Sequence, residues 1–311
     1  MIVNFDSSEI IINEYIMSIY SEIAHNRFKT YLIFGLFLIL FTGFFYLVGN
    51  SYGDANTYAV LGFVIAFGSS VGSYFHSDKI VLSTTHARLA KKEEFFDFYT
   101  VVENLSIAAG IPMPKVYVID DPSPNAFATG RNPKHGVVCA TTGLLSLLNR
   151  SEIEGVVAHE LSHIRNYDIL VSTITAVLVG TIALTADWIM RSFWWSGGNR
   201  SKNKSPITLV LLIIALIITP IVATLIQLAV SRRREYLADA SGALLTRYPD
   251  SLANALEKIS SYPRGVQSAS SSTAHLFFAN PFKKGDRASW FTNLFSTHPP
   301  AEKRIEILRR M

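Results

Sequence analysis

Apolar positions in this chain follow two patterns, long unbroken runs and short clusters set among polar residues. The runs are Tyr31 to Val48, Tyr58 to Phe75, Ile169 to Met190 and Ile207 to Val230. Crossing a hydrocarbon core of about 30 Å takes about 20 helical residues, so the four runs are expected to form transmembrane helices arranged as two hairpins. The second run carries Gly62, Gly68, Gly72 and several serines, which suits close helix packing in lipid. The third ends in Asp187 and the fourth contains Pro220, which neighbouring helices of a bundle can accommodate. A buried helical hairpin inside a soluble domain is the alternative for these last two.

The polar stretches divide the chain into residues 1–78 (N-terminal segment and first hairpin), 79–168, 169–230 (second hairpin) and 231–311. The second and fourth of these are together large enough for one folded domain. Within 79–168, Glu93 to Ala109 has helical periodicity and stops at Gly110, ahead of Pro112 and Pro114. Val116 to Ile119 and Gly136 to Thr141 read as strands. The link between them, DPSPNAFATGRNPKHG, is rich in turn formers and reads as a loop. Ser151 with Glu154 three residues later matches a capping box, so a helix is expected to start there and pass through His163, with room to continue into the third apolar run. The stretch GGNRSKNKS is a flexible polar loop.

Composition strengthens the membrane reading. Hydrophobic residues make up 49% and charged residues 17%, and mean hydropathy is +0.28. Soluble domains carry about 25% charged residues, so much of this surface is expected to face lipid. The net charge of +4 does not point to nucleic acid, because the basic residues sit beside the apolar runs and form no aromatic-interleaved patch. The single cysteine, Cys139, cannot make an intrachain disulfide and is compatible with a cytosolic setting. No cleavable signal peptide is expected, since Asp6, Glu9, Glu14 and Glu22 interrupt the first thirty residues.

The chemistry concentrates in His159-Glu160-Leu161-Ser162-His163. Residues four apart share a helix face, so both imidazoles can address one ion while Glu160 stands beside them. Imidazole nitrogens suit zinc, and a catalytic zinc takes three protein ligands and keeps one position open. Glu235, in SRRREYLADA, supplies the third ligand if the third and fourth runs form an antiparallel hairpin that returns the chain to the side it left. Asp239, four residues further on the same face, is placed to accept a hydrogen bond from a ligand histidine. Taken alone, Glu235 and Asp239 read more readily as a solvated acidic pair beside a basic run, and Arg232, Arg233 and Arg234 as an interfacial anchor.

The segments HELSH, SRRREYLADA, PNAFATG and STHPP, in this order over essentially the whole chain, resemble the HtpX family of membrane zinc metallopeptidases, relatives of the CAAX prenyl proteases. The resemblance implies a mainly α membrane protein with four transmembrane helices and a zincin-like α+β catalytic domain carrying a small sheet. It implies one Zn2+ per chain on His159, His163 and Glu235, and Glu160 as catalytic base. It further places Asn125 near bound substrate and His298 as a conformational or transition-state partner. His298 or one of Arg232, Arg233 and Arg234 is expected to serve a developing oxyanion, with Arg232 and Arg234 therefore expected near substrate. An extended substrate is expected to add to the sheet edge near Val137 to Ala140.

The resemblance also implies an endopeptidase for misfolded or surplus membrane proteins in the cell (inner) membrane. Its partners would be unfolded or membrane polypeptides and the bilayer, without nucleic acid. Lys29 and Arg27 before the first run, and Lys79, Arg88, Lys91 and Lys92 after the second, favour a cytoplasmic active site. The basic loop Arg191 to Pro206 argues the other way. A prenyl-protein processing peptidase and a transporter or scaffold with structural zinc are the competing functions; the last would be expected to close its site with a fourth ligand, for which Cys139 is the one cysteine.

Overall fold

A computed structural model describes residues 7–195, 225, 232–270, 272–282 and 299–311. Two long helices, α1 (Ser7–Ser51) and α2 (Ala55–Thr84), form the first hairpin. Asp54 caps α2 by accepting from the backbone N–H of Thr57. With α6 (Asp168–Trp195) they give three helices long and apolar enough to cross a membrane, over Ile23–Asn50, Ala55–Thr84 and Asp168–Trp188. These contain the expected runs 31–48 and 58–75 and begin the run 169–190. The expected fourth span, 207–230, lies outside the described residues apart from Leu225.

The three helices are packed by aromatic and aliphatic side chains. Phe37, Phe41 and Phe45 stack along one face of α1, at centroid spacings of 5.1 Å and 5.1 Å. They join Ile33, Ala66, Ile174 and Leu178 in one buried cluster. Gly62 admits the Phe45 ring, because a Cβ there would lie 2.6 Å from the Cβ of Phe45. Meanwhile Ile39, Val60, Val64, Phe67 and Leu184 face outward, as helices in a hydrocarbon solvent do.

The other lobe is built on a four-stranded sheet: β1 (Arg88–Leu89), β2 (Lys115–Ile119), β3 (Ala126–Thr129) and β4 (Val137–Thr141), in the order β1-β2-β4-β3. β2 and β4 are parallel, and the flanking pairs are antiparallel. Helix α3 (Phe96–Ala109) ends at Gly110, whose φ of 66° is the left-handed cap that glycine supplies without strain. A short α4 (Thr142–Leu147) leads to α5 (Arg150–Arg165). After the second apolar region come α7 (Arg232–Thr246), α8 (Pro249–Ser261) and α9 (Ala301–Leu308). Their apolar faces meet α3, α5 and the sheet in a single core that includes Val101, Val138, Leu161, Leu252 and Leu308.

Three local expectations are corrected. The link between the two expected strands is not all loop: AFAT within it forms β3, because its neighbours are turn formers but its own backbone can pair with β4. β4 is consequently an interior strand, and the outer edge on that side of the sheet belongs to β3, where Phe277 bridges Phe127. The capping box of α5 is set by Asn149 and Glu152 rather than by Ser151 and Glu154: the Asn149 side chain accepts from Glu152 N–H at 3.0 Å, and the Glu152 carboxylate accepts from Asn149 N–H at 2.9 Å. Helix α5 also stops before the membrane, at a turn where Tyr167 takes a positive φ of 61°, and α6 starts afresh at Asp168.

Candidate functional site

Helices α5 and α7 cross closely, with Gly242 of α7 against the backbone of His159; a Cβ at Gly242 would come within 3.1 Å of that nitrogen. The crossing brings Glu235, in the first turn of α7, to the face of α5 that carries both histidines. The Nε2 atoms of His159 and His163 lie 3.1 Å apart. Glu235 Oε2 is 3.8 Å from the first and Oε1 is 3.6 Å from the second. Among the described residues these three are the group whose donor atoms converge, all within 4.8 Å of one another. Glu160, buried to 2% exposure, lines the same cleft with Ala128, Ile169 and Phe278.

Each imidazole is held from behind. His159 Nδ1 lies 2.9 Å from Asp239 Oδ1, and His163 Nδ1 lies 2.9 Å from Asp168 Oδ2. A carboxylate at Nδ1 selects the tautomer with its proton there and leaves the Nε2 lone pair facing the shared space. Two lone pairs 3.1 Å apart repel unless a proton or a cation lies between them. A tetrahedral ion with bonds of about 2.0–2.1 Å sets its ligands about 3.3 Å apart, close to the spacings seen here, so the donor set fits a metal of that kind.

A buried arginine steadies each carboxylate in turn. Arg304 of α9 donates to Asp239 from Nε at 2.8 Å and from Nη2 at 2.7 Å, and its guanidinium covers the Phe278 ring at 4.9 Å. Arg234 donates from Nη1 to Asp168 Oδ1 at 3.2 Å. Electrostatics of the metal-free chain follow from this wiring. Burial lowers His159 to about 4, against the Asp239 hydrogen bond. At His163 burial is outweighed by the Asp168 hydrogen bond and the charges of Glu235, Asp168 and Glu160, which lift it to about 9. Burial, with the nearby Glu235 charge, raises Glu160 to about 7 despite the opposing influence of His163.

The remaining expected site residues fall in different places. Asn125 is buried and clamps the chain beyond α8: its Nδ2 donates to Ala279 O at 2.9 Å, and its Oδ1 accepts from Ala279 N–H at 3.1 Å. That clamp lays Phe277 antiparallel to Phe127 on the outer edge of β3, with the Phe278 ring 5.0 Å from that of His159. Arg234 is turned inward to Asp168, whereas Arg232 is exposed. His298 lies outside the described residues. Sequence reasoning passed over Asp168, Arg304 and Asn26; the one signal for Asp168 was a lone charge at the mouth of an apolar run, and nothing in spacing pointed to the other two.

Comparison with known proteins decides the family. Residues 93–311 match peptidase family M48. The chain belongs to that family. Curated relatives named Protease HtpX homolog include one from Dictyoglomus thermophilum, 49% identical with 94% of each chain covered. Another, from Tropheryma whipplei, is 47% identical over 94% of this chain and 98% of its own. A solved structure, that of S. mikatae Ste24p, overlaps with a TM-score of 0.45 at 21% identity, covering 97% of this chain and 67% of that one, too loosely to carry weight. This member of the HtpX group is a membrane metallopeptidase, a hydrolase with a metal cofactor.

Proposed function

We propose that the chain is a zinc endopeptidase of the cell membrane that cleaves misfolded or surplus membrane proteins at a site open to the cytoplasm. The observation that carries it is the convergence of His159, His163 and Glu235 beside Glu160. Zinc would be held by the two Nε2 atoms and the Glu235 carboxylate, and no other described side chain completes the set, which suits a catalytic rather than a closed structural site. The chemistry a bound zinc supplies is Lewis acidity, which polarises a carbonyl and acidifies water at the open position.

The chain's own groups do the rest. Glu160, poised near neutrality by burial, accepts a proton from the attacking water on a carboxylate oxygen and returns it to the departing amine. Asp239 and Asp168 hold the two imidazoles in the tautomer that ligation needs. Substrate lies extended along the outer edge of β3 by taking the place of the Phe277–Phe278 segment that pairs there in the free chain, and backbone pairing gives affinity without demanding a sequence. The pairing of Phe277 with Phe127 illustrates how that edge receives a strand, and Asn125 acts by setting where that segment sits. His298 and Arg232 remain the candidates for contact with substrate, since Arg234 is engaged by Asp168. Basic residues flanking the first hairpin support the cytoplasmic orientation, and a fourth span over 207–230 would return Glu235 to the side of His163.

Casein hydrolysis by the purified chain in detergent tests the reading. Glu160→Gln should lower kcat by about 10²–10⁴-fold while zinc stays at one per chain. Glu235→Ala should lose the metal as well. Full hydrolysis by either variant would end the proposal.

A further inference from the structure

The metal site is wired to the first membrane helix. Asn26 of α1, 0% exposed, is 140 residues distant in sequence from the turn that follows the histidine helix, yet its amide nitrogen donates both of its hydrogens there. Its Nδ2 donates to Asn166 O at 3.0 Å and to Asp168 Oδ1 at 2.8 Å. Its Oδ1 accepts from Arg234 Nη1 at 3.4 Å. Asp168 therefore presents one oxygen to Asn26 and Arg234 and the other to His163. The adjacent Arg27 covers the Tyr167 ring at 5.2 Å, so α1 grips the same turn twice, at a residue whose positive φ needs support from its surroundings.

We propose that Asn26 is a positioning residue of the metal site, acting through Asp168 on His163, so that docking of the first membrane helix sets the geometry of one ligand. The inference rests on the reading of His159, His163 and Glu235 as ligands. Its physical basis is donor direction. A carboxylate oxygen that already accepts from Asn26 and Arg234 cannot rotate, so the opposite oxygen stays aimed at His163 Nδ1 and the Nε2 lone pair stays aimed at the ion. Partners of ligands typically change metal affinity by about 10–100-fold when removed. Asn26 stands one bond further back, so the lower end of that range is expected.

The test uses the full chain in detergent micelles, stripped of metal and titrated with zinc against a chromophoric chelator. The visible spectrum of the cobalt form is recorded in parallel. Asn26→Asp places a carboxylate where the amide donated; zinc affinity should fall about tenfold and the cobalt bands should shift. Asp168→Ala removes the carboxylate through which position 26 acts, so adding Asn26→Asp to that background should lower zinc affinity little further. Unchanged zinc affinity and cobalt spectrum in Asn26→Asp, alongside a lowered Tm of the stripped chain, would show a mere staple and overturn the proposal. A full further tenfold loss from Asn26→Asp in the Asp168→Ala background would overturn it too. Should Asn26→Asp not fold, Asn26→Ser decides by the same titration. Failure of the wild-type chain to bind zinc would instead overturn the ligand assignment, a separate result.

Discussion

Helices α2 and α5 bury opposite kinds of side chain. α2 buries Gly62, Ala66, Ser70, Ser73 and Ser77 and turns Val60, Leu61, Phe63, Val64 and Phe67 outward. α5 buries Val156, Val157, Leu161 and Ile164 in the usual way, and with them His159 and Glu160. In α2 the solvent is hydrocarbon, so large apolar groups lose nothing outside and small ones allow close packing. In α5 every buried polar group must be matched, because an unpaired one costs far more than an apolar neighbour of the same size. The catalytic lobe meets that demand with relays of arginine, carboxylate and imidazole, while the membrane hairpin needs few polar pairs.

Breaking a relay should therefore have the largest effect on stability. Arg304→Met leaves Asp239 as an uncompensated buried charge, and a loss of about 3–5 kcal/mol is expected by chemical denaturation of the catalytic lobe. A slightly smaller effect should follow from a charge on the lipid side: Val64→Lys is expected to cost about 2.5–3.5 kcal/mol in an insertion assay of α2. Ile107, equally apolar and 75% exposed on α3, faces water, so Ile107→Lys should stay within about 0.5 kcal/mol in thermal melts. Equal costs at the two positions would break the distinction between the surfaces.

Packing gives a finer contrast. A Cβ at Gly155 would lie 2.8 Å from the backbone nitrogen of Leu252, where α5 meets α8, whereas at Gly35 on α1 nothing lies within 4 Å. Gly155→Ala should destabilise by about 1–3 kcal/mol, and Gly35→Ala should leave the Tm unchanged or higher. The smallest response belongs to Cys139. Full burial, aided by the nearby Glu160 charge, pushes its thiol well above the usual range. Raising the pH to about 8.5, near the ordinary thiol pKa, should give no labelling of the native chain, with labelling appearing once it is unfolded.

Much of this molecule was legible in its amino-acid order alone. Unbroken apolar runs marked the three described helices that are long and apolar enough to cross a membrane, because lipid rewards length and hydrophobicity irrespective of partners. The i, i+4 spacing of His159 and His163 placed two donors on one face, because helix geometry is local. Gly110 and its following prolines ended α3 where expected for the same reason. Local rules failed where a competing partner lay nearby or far away. Asn149 took the cap from Ser151, and AFAT became a strand once β4 lay beside it. Only the tertiary structure decided that Glu235 meets the histidines, that Arg304 and Arg234 back their carboxylates, and that Asn26 reaches Asp168. Those contacts join residues 65 to 142 positions apart, and no periodicity extends over such distances; they exist because buried charges must find partners wherever the packed chain brings them.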